Sequence, residues 1–323
     1  MSATLLLAVA LNMECVENQL KNGDQSQTLD QVKAFCSVER ETTNLTNVQP
    51  ESGSKTEQVD RRVAEERGYE YSRFGLSSHR NNYVLLGSYN NRPNEDSWEY
   101  EDEGVDPWEI KFQFSVKVPI TPDWFGNNSG LYMAYTNQSW WQAYNKDASA
   151  PFRDTNHMPE MFWLQFFDDV AVGDFKLRGT SLSLNHQSNG RSGEESRSWN
   201  RIIGTVLFEN GPWVFGARAW HRLHEDNKES IDDVRGDDNP DITDYMGHGE
   251  VFTVYSYQDN IFSLRVRGNI GEHKGGAEAG WSFPLTGKIR GYIQGYYGYG
   301  ESLIDYNHKS ERISIGVEVT PII

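Results

Sequence analysis

In the run Leu182-Ser183-Leu184-Asn185-His186-Gln187-Ser188, a histidine and a serine stand two positions apart among alternating side chains. On an extended strand, positions i and i+2 project from one face. The His186 ring and the Ser188 hydroxyl are therefore neighbours, beside Leu182 and Leu184. A serine hydroxyl is a weak nucleophile until an adjacent imidazole accepts its proton. Asn200 opens a second alternating run that continues through Ile202, Val206 and Phe208. Across a hairpin, its amide would bond the other ring nitrogen and hold the imidazole in one tautomer. An amide does not stabilise a developing imidazolium as a carboxylate does, so acyl transfer here would lean on other electrostatics. The segment between the two runs offers hard oxygen donors, the Ser196 hydroxyl and the carbonyls around Arg191, which suit Ca²⁺. His-x-Ser on a strand is also a common accident, and Ser and Asn are ordinary turn residues. These residues alone leave an inert strand and turn open.

Positioning such a set takes strands, and the chain is rich in them. Ile110, Phe112, Phe114, Val116 and Val118 alternate with Lys111, Gln113, Ser115 and Lys117. Phe262, Leu264, Val266 and Ile270 alternate with Ser263, Arg265, Arg267 and Asn269, and Ile313, Ile315, Val317 and Val319 with Arg312, Ser314 and Glu318. Alternation alone also fits a water-soluble sandwich with its apolar face inward. Connection lengths favour a membrane barrel. Short turns are expected at Glu209-Asn210-Gly211, Gln258-Asp259-Asn260 and Thr286-Gly287, and longer polar loops near 91–107, 141–160, 187–198, 223–245 and 299–310. Short turns at one end and long loops at the other characterise outer-membrane barrels. Trp140-Trp141 and Tyr296-Tyr297 suit interfacial girdles, and a last strand near Ile323 suits closure on the first. The expected fold is all-β, an antiparallel transmembrane β-barrel of about 12 strands. Apolar residues would then face lipid, carrying His186 and Ser188 outward near the extracellular rim.

Composition agrees. Aromatic residues make up 13% of the 323 residues, with 29 Gly, 16 Tyr and 10 Trp. A net charge of −17 excludes nucleic acid as a partner, because no basic stripe is present to neutralise phosphates. Residues 1–68 are expected to form an export or periplasmic extension, partly disordered, before a barrel domain over 69–323. The short apolar run Leu5–Leu11 resembles part of an export signal but lacks a preceding Lys or Arg. Cys15 and Cys36 are the only cysteines, read either as one structural disulfide or as two idle thiols.

His186-Gln187-Ser188-Asn189-Gly190-Arg191-Ser192, followed by Ser196-Arg197-Ser198-Trp199-Asn200-Arg201, closely resembles the signature of the outer membrane phospholipase A family. Further blocks resemble it in order: Ser139-Trp140-Trp141-Gln142, Pro151-Phe152-Arg153-Asp154-Thr155-Asn156, Asp237-Asp238-Asn239-Pro240-Asp241-Ile242 and Tyr299-Gly300-Glu301-Ser302-Leu303-Ile304-Asp305. The resemblance implies a twelve-stranded barrel in the outer membrane of a Gram-negative cell. It implies action on membrane phospholipids as a Ca²⁺-bound homodimer, cleaving sn-1 and sn-2 esters and lysophospholipids. By position, Ser188 would be the nucleophile, His186 the base and Asn200 its orienting partner. Calcium contacts would come from Arg191 and Ser196 of one subunit and Ser149 of the other, with Asp238 at a further calcium site. The chain departs from the family pattern at Gly193-Glu194, where an Asp is common, at Asn137, where Gln is common, and at Ile323, usually an aromatic residue. A non-catalytic small porin or adhesin-like scaffold is the alternative, with Lys111, Lys117, Arg265 and Arg267 pairing with Glu278 and Glu318 to plug the lumen. A soluble all-β hydrolase or binding domain is a third.

Overall fold

The computed structural model describes residues 76–98, 104–122, 128–230, 233, 236–287 and 289–321, together with 10–11, 37–38 and 59. The chain divides into two units, Met1–Lys55 and Thr56–Ile323. In the first, Ala10–Leu11 pairs antiparallel with Ser37–Val38. Most of the expected extension, with Cys15 and Cys36, lies outside the described residues.

The second unit carries twelve barrel strands. They are β1 (Asn82–Asn90), β2 (Trp108–Pro122), β3 (Ser129–Trp141), β4 (Phe152–Val172), β5 (Phe175–Ser188) and β6 (Ser198–Asn210). There follow β7 (Trp213–Arg222), β8 (Gly249–Tyr257), β9 (Asn260–Asn269), β10 (Lys274–Thr286), β11 (Ile289–Tyr299) and β12 (Lys309–Thr320). Each strand pairs antiparallel with its sequence neighbour, and β12 closes on β1 with Ile313 opposite Tyr89. Closure leaves no free edge, the condition for strands in lipid. A short helix, α1 (Ile242–Met246), lies in the β7–β8 loop. None of the described helices is long and apolar enough to cross a membrane.

Exposure decides between barrel and sandwich. On β2, Phe114 is 52% exposed while Lys111 is fully buried. Ile313, Ile315 and Val319 of β12 are exposed, and Arg312, Ser314 and Glu318 are buried. Apolar side chains point out and charged ones in, the reverse of a soluble sandwich. Buried charges cost several kcal/mol each unless paired. Here Arg153 meets Glu109 at 2.6 Å and Asp305 at 2.5 Å, Arg312 meets Glu109 at 2.7 Å and Glu301 at 2.9 Å, and Lys111 meets Glu301 at 3.0 Å. Of the expected luminal pairs, Arg265 meets Glu278 at 2.7 Å and Lys111 reaches the same carboxylate at 4.0 Å. Arg267 instead donates to the Gly300 carbonyl, and Glu318 accepts from Asn81 at 3.3 Å.

The three expected tight turns lie at one end of the barrel, joined there by Gly173-Asp174 between β4 and β5. Gly173, Gly211 and Gly287 take φ of 63°, 57° and 56°, a region that penalises any Cβ. At this end Val59 packs with Val214 and Val254, and its N–H donates to Glu209 at 3.3 Å. The loops form the other end, over a core of Trp199, Trp220, Ile242, Met246, Leu303 and Tyr306. Two expectations need correction. The loop expected over 141–160 is confined to 142–151, because Phe152–Glu160 belong to β4. Its polar residues have interior partners: Asp154 and Asn156 accept from the N–H groups of Ile304 and Leu303 at 3.1 and 3.0 Å. Only one residue of each expected girdle pair faces lipid. Trp140 is fully buried and Tyr296 nearly so, while Tyr297 is exposed and Trp141 stacks on Phe152.

Candidate active site

Strands β5 and β6 run antiparallel with His186 opposite Asn200 and Ser188 opposite Ser198. Leu182 and Leu184, on the face of His186 and Ser188, are 56% and 51% exposed, so this face looks out of the barrel. The inward neighbours Asn185 and Gln187 are buried and accept hydrogen bonds from Arg201 at 2.7 and 3.1 Å. That guanidinium, 3.9 Å from the Trp199 ring, stiffens both strands from within.

His186 Nδ1 lies 2.9 Å from Asn200 Oδ1. Asn200 Nδ2 donates to Glu225 Oε1 at 2.9 Å, which turns the amide oxygen toward the ring. With that oxygen as acceptor, the imidazole carries its proton on Nδ1 and leaves Nε2 as a base. The Ser188 hydroxyl has no hydrogen-bond partner of its own among the described residues. Catalytic hydrogen bonds are often long or poorly aligned in unliganded enzymes and tighten only with substrate.

Two features of this wall were not read from the sequence. His157 of β4 stands opposite Ser188 in the ladder, its Nδ1 2.6 Å from the Tyr135 hydroxyl. Glu225 lies in the loop after β7. Register across three strands reveals the first, and the path of a long loop the second; neither follows from spacing along one strand. Asn137 pairs with His157 across β3 and β4, and its Oδ1 accepts from Ser139 at 3.1 Å.

The predicted calcium residues fall into two groups. Ser196 ends a short 3₁₀ turn over Gly193–Glu195, its N–H donating to the Gly193 carbonyl at 3.2 Å. Arg191 pairs with Glu195 and donates to the carbonyls of Phe152 and Arg153 at 3.2 and 2.8 Å, tying the β5–β6 loop to the start of β4. Asn189 pins the loop further, accepting from the Arg197 N–H at 2.9 Å. Asp238 joins this group: it accepts from Ser198 at 2.8 Å, bonds the Ser196 hydroxyl and meets Lys228 at 2.6 Å. Burial pushes its carboxyl up, but Lys228 and the two hydroxyls outweigh burial and hold it below the usual carboxylate range. Ser149 sits apart in the 142–151 loop, with φ of 59°. Among the described residues no three His, Cys, Asp or Glu side chains cluster as a metal site. The available donors are hydroxyl and carbonyl oxygens with one carboxylate, a set that fits calcium in kind but falls short of its usual six to eight ligands.

A closed barrel, apolar outside and ion-paired inside, is an integral protein of the outer membrane. The chain belongs to the phospholipase A1 family, whose family model matches residues 59–319, and is a phospholipase. The phospholipase A1 of Escherichia coli strain K12 is 42% identical over 209 residues, 65% of this chain and 68% of that protein. The solved structure of outer membrane phospholipase A from Escherichia coli superposes with a TM-score of 0.74 at 34% identity, over 81% of this chain and 98% of the other. That of Salmonella typhi outer membrane phospholipase, a dimer with bound calcium, gives 0.73 at 35% identity, over 80% and 97%.

Proposed function

We propose that this phospholipase hydrolyses sn-1 and sn-2 acyl esters of membrane phospholipids and lysophospholipids through Ser188, His186 and Asn200. The observation that carries the reading is the 2.9 Å contact between His186 and Asn200 on the wall exposed to lipid, with Ser188 on the same face. Substrate then arrives by diffusion within the membrane and lies along Leu182 and Leu184. Ser188 Oγ attacks the ester carbonyl and passes its proton to His186 Nε2. The imidazolium, oriented by Asn200, returns that proton to the departing glycerol oxygen. Water, deprotonated by the same imidazole, cleaves the acyl-enzyme and restores the serine.

Calcium, when bound, supplies positive charge toward the oxyanion. Ser196 and the Arg191 carbonyl of one subunit and Ser149 of another would hold it, with Asp238 at a further site. The shortage of donors within one chain supports completion by a second copy, and the Salmonella typhi relative is a calcium-bound dimer. Regulation follows from this arrangement, since a lone barrel lacks part of the site. The small-porin reading is disfavoured by the Arg153, Arg312 and Lys111 ion pairs that cross the loop half of the lumen.

Purified protein in mixed micelles should release fatty acid with calcium and stop in excess EDTA. Ser188→Ala should lower turnover on the order of 10⁴-fold or more with the fold intact. Undiminished turnover in that variant, or full activity in EDTA, would refute the serine or the calcium assignment respectively.

A further inference from the structure

An amide in the third position leaves the His186 imidazolium without a counter-charge. The structure places one behind it. Asn200 Nδ2 donates to Glu225 Oε1 at 2.9 Å, while Asn200 Oδ1 faces His186 Nδ1 at the same distance. Ring, amide and carboxylate form one hydrogen-bonded series.

The loop holding Glu225 is fastened to the site. The Leu223 N–H donates to the Asn200 carbonyl at 2.8 Å, so the chain beyond β7 still follows β6. The Asp237 N–H donates to the Asp226 carbonyl at 2.8 Å, and Arg222 pairs with Asp237, anchoring the loop from its far side. Among the described residues no cation bridges Glu225. Asn200 would otherwise rotate freely between two nearly isosteric amide orientations. A carboxylate accepts only from the NH₂ end, which fixes the orientation the imidazole needs.

We infer that Glu225 is a positioning residue of the hydrolytic site. It locks the Asn200 amide and sets a negative charge in line with His186, restoring at one remove the carboxylate that a serine–histidine–asparagine set lacks. Glu225 takes no part in the proton transfer, which runs between Ser188 and His186. The inference rests on the roles proposed above for Ser188, His186 and Asn200. Other titratable groups on the elements around the site are His157 and Tyr135 on β4 and β3, His221 on β7, and His224, Asp226 and Lys228 in the same loop as Glu225. Arg191, Glu194, Glu195 and Arg197 lie in the loop between β5 and β6. None of these stands in the hydrogen-bonded series.

The test is Glu225→Gln in the full-length protein, assayed on a short-chain phospholipid at saturating calcium across pH. Glutamine can still accept from Asn200 but brings no charge. The expected result is a fall in kcat on the order of tenfold with KM unchanged. The acid limb of kcat/KM should also move to lower pH by about half a unit to one unit, because an imidazolium deprived of its counter-charge loses its proton more readily. In an Asn200→Asp background a carboxylate already touches the ring, and Glu225→Gln should leave kcat unchanged or raise it by relieving repulsion. A melting curve of each variant separates these effects from misfolding. Wild-type kcat and an unmoved acid limb in Glu225→Gln would overturn the inference. If Ser188→Ala were equally active, the site reading itself would fall; if Ser188→Ala is dead while Glu225→Gln behaves as wild type, only the role of Glu225 fails.

Discussion

Arg153→Met tests the interior that holds the site-bearing loops. Arg153 is 2% exposed and bridges Glu109 and Asp305, each 1% exposed. Methionine keeps the apolar stem and removes the charge. Glu109 retains Arg312 at 2.7 Å and Gln142 at 3.0 Å, so it stays paired. Asp305 keeps only the neutral donors Asn94 at 3.0 Å and Ser302 at 2.8 Å, and becomes a buried charge without a cation. Breaking a buried pair this way costs roughly 3–5 kcal/mol, and one stranded carboxylate with two remaining donors points to the lower end, about 3 kcal/mol. Urea unfolding from vesicles, followed by tryptophan fluorescence, measures it. In an Asp305→Asn background the same substitution should cost about 1 kcal/mol, since no anion is then stranded. A cost under about 1 kcal/mol in the parent, or strict additivity of the two substitutions, would show that the pair does not support the loop end.

Acid should weaken the same region. Burial opposes ionisation of Glu301 in the β11–β12 loop, but Arg312 and Lys111 prevail and bring its pKa from 4.5 to about 2. A depressed carboxylate stabilises the fold above its unfolded pKa and loses that contribution as pH falls through the folded value. Stability should be flat in Glu301's contribution above about pH 5 and fall by about 3 kcal/mol toward pH 2, and Glu301→Gln should abolish that part of the slope. An unchanged slope in the variant would remove Glu301 from the account. Ile315→Arg probes the lipid-facing wall: with Ile315 56% exposed at mid-strand, arginine should cost about 2–4 kcal/mol in vesicles. A cost near zero would mean that β12 faces water there.

The fold was largely legible because period-two alternation and connection length survive in a single sequence. Ile110–Val118 and Ile313–Val319 declare two faces, and the turns at Gly211 and Gly287 mark one end. Alternation does not say which face meets lipid; the buried Lys111 beside exposed Phe114 settles that. Phe152–Glu160 hid as a loop because its polar residues serve partners far along the chain, as Asp154 serves Ile304. At the site, His186 and Ser188 were legible as same-face neighbours and Asn200 by its place on the returning strand. His157 and Glu225 were not, since one enters through ladder register and the other through a loop whose course no local pattern fixes. The association of Asp238 with Ser196 likewise joins loops distant in sequence.

The most direct test of the proposed lipid-facing nucleophile, Ser188, is to treat the purified protein in detergent with a long-chain alkylsulfonyl fluoride and to locate the adduct by mass spectrometry. One adduct is expected, on Ser188, formed with calcium present, strongly slowed in His186→Ala and blocked by competing phospholipid. An adduct on another residue, or labelling of Ser188 at the same rate without His186, would contradict the proposal.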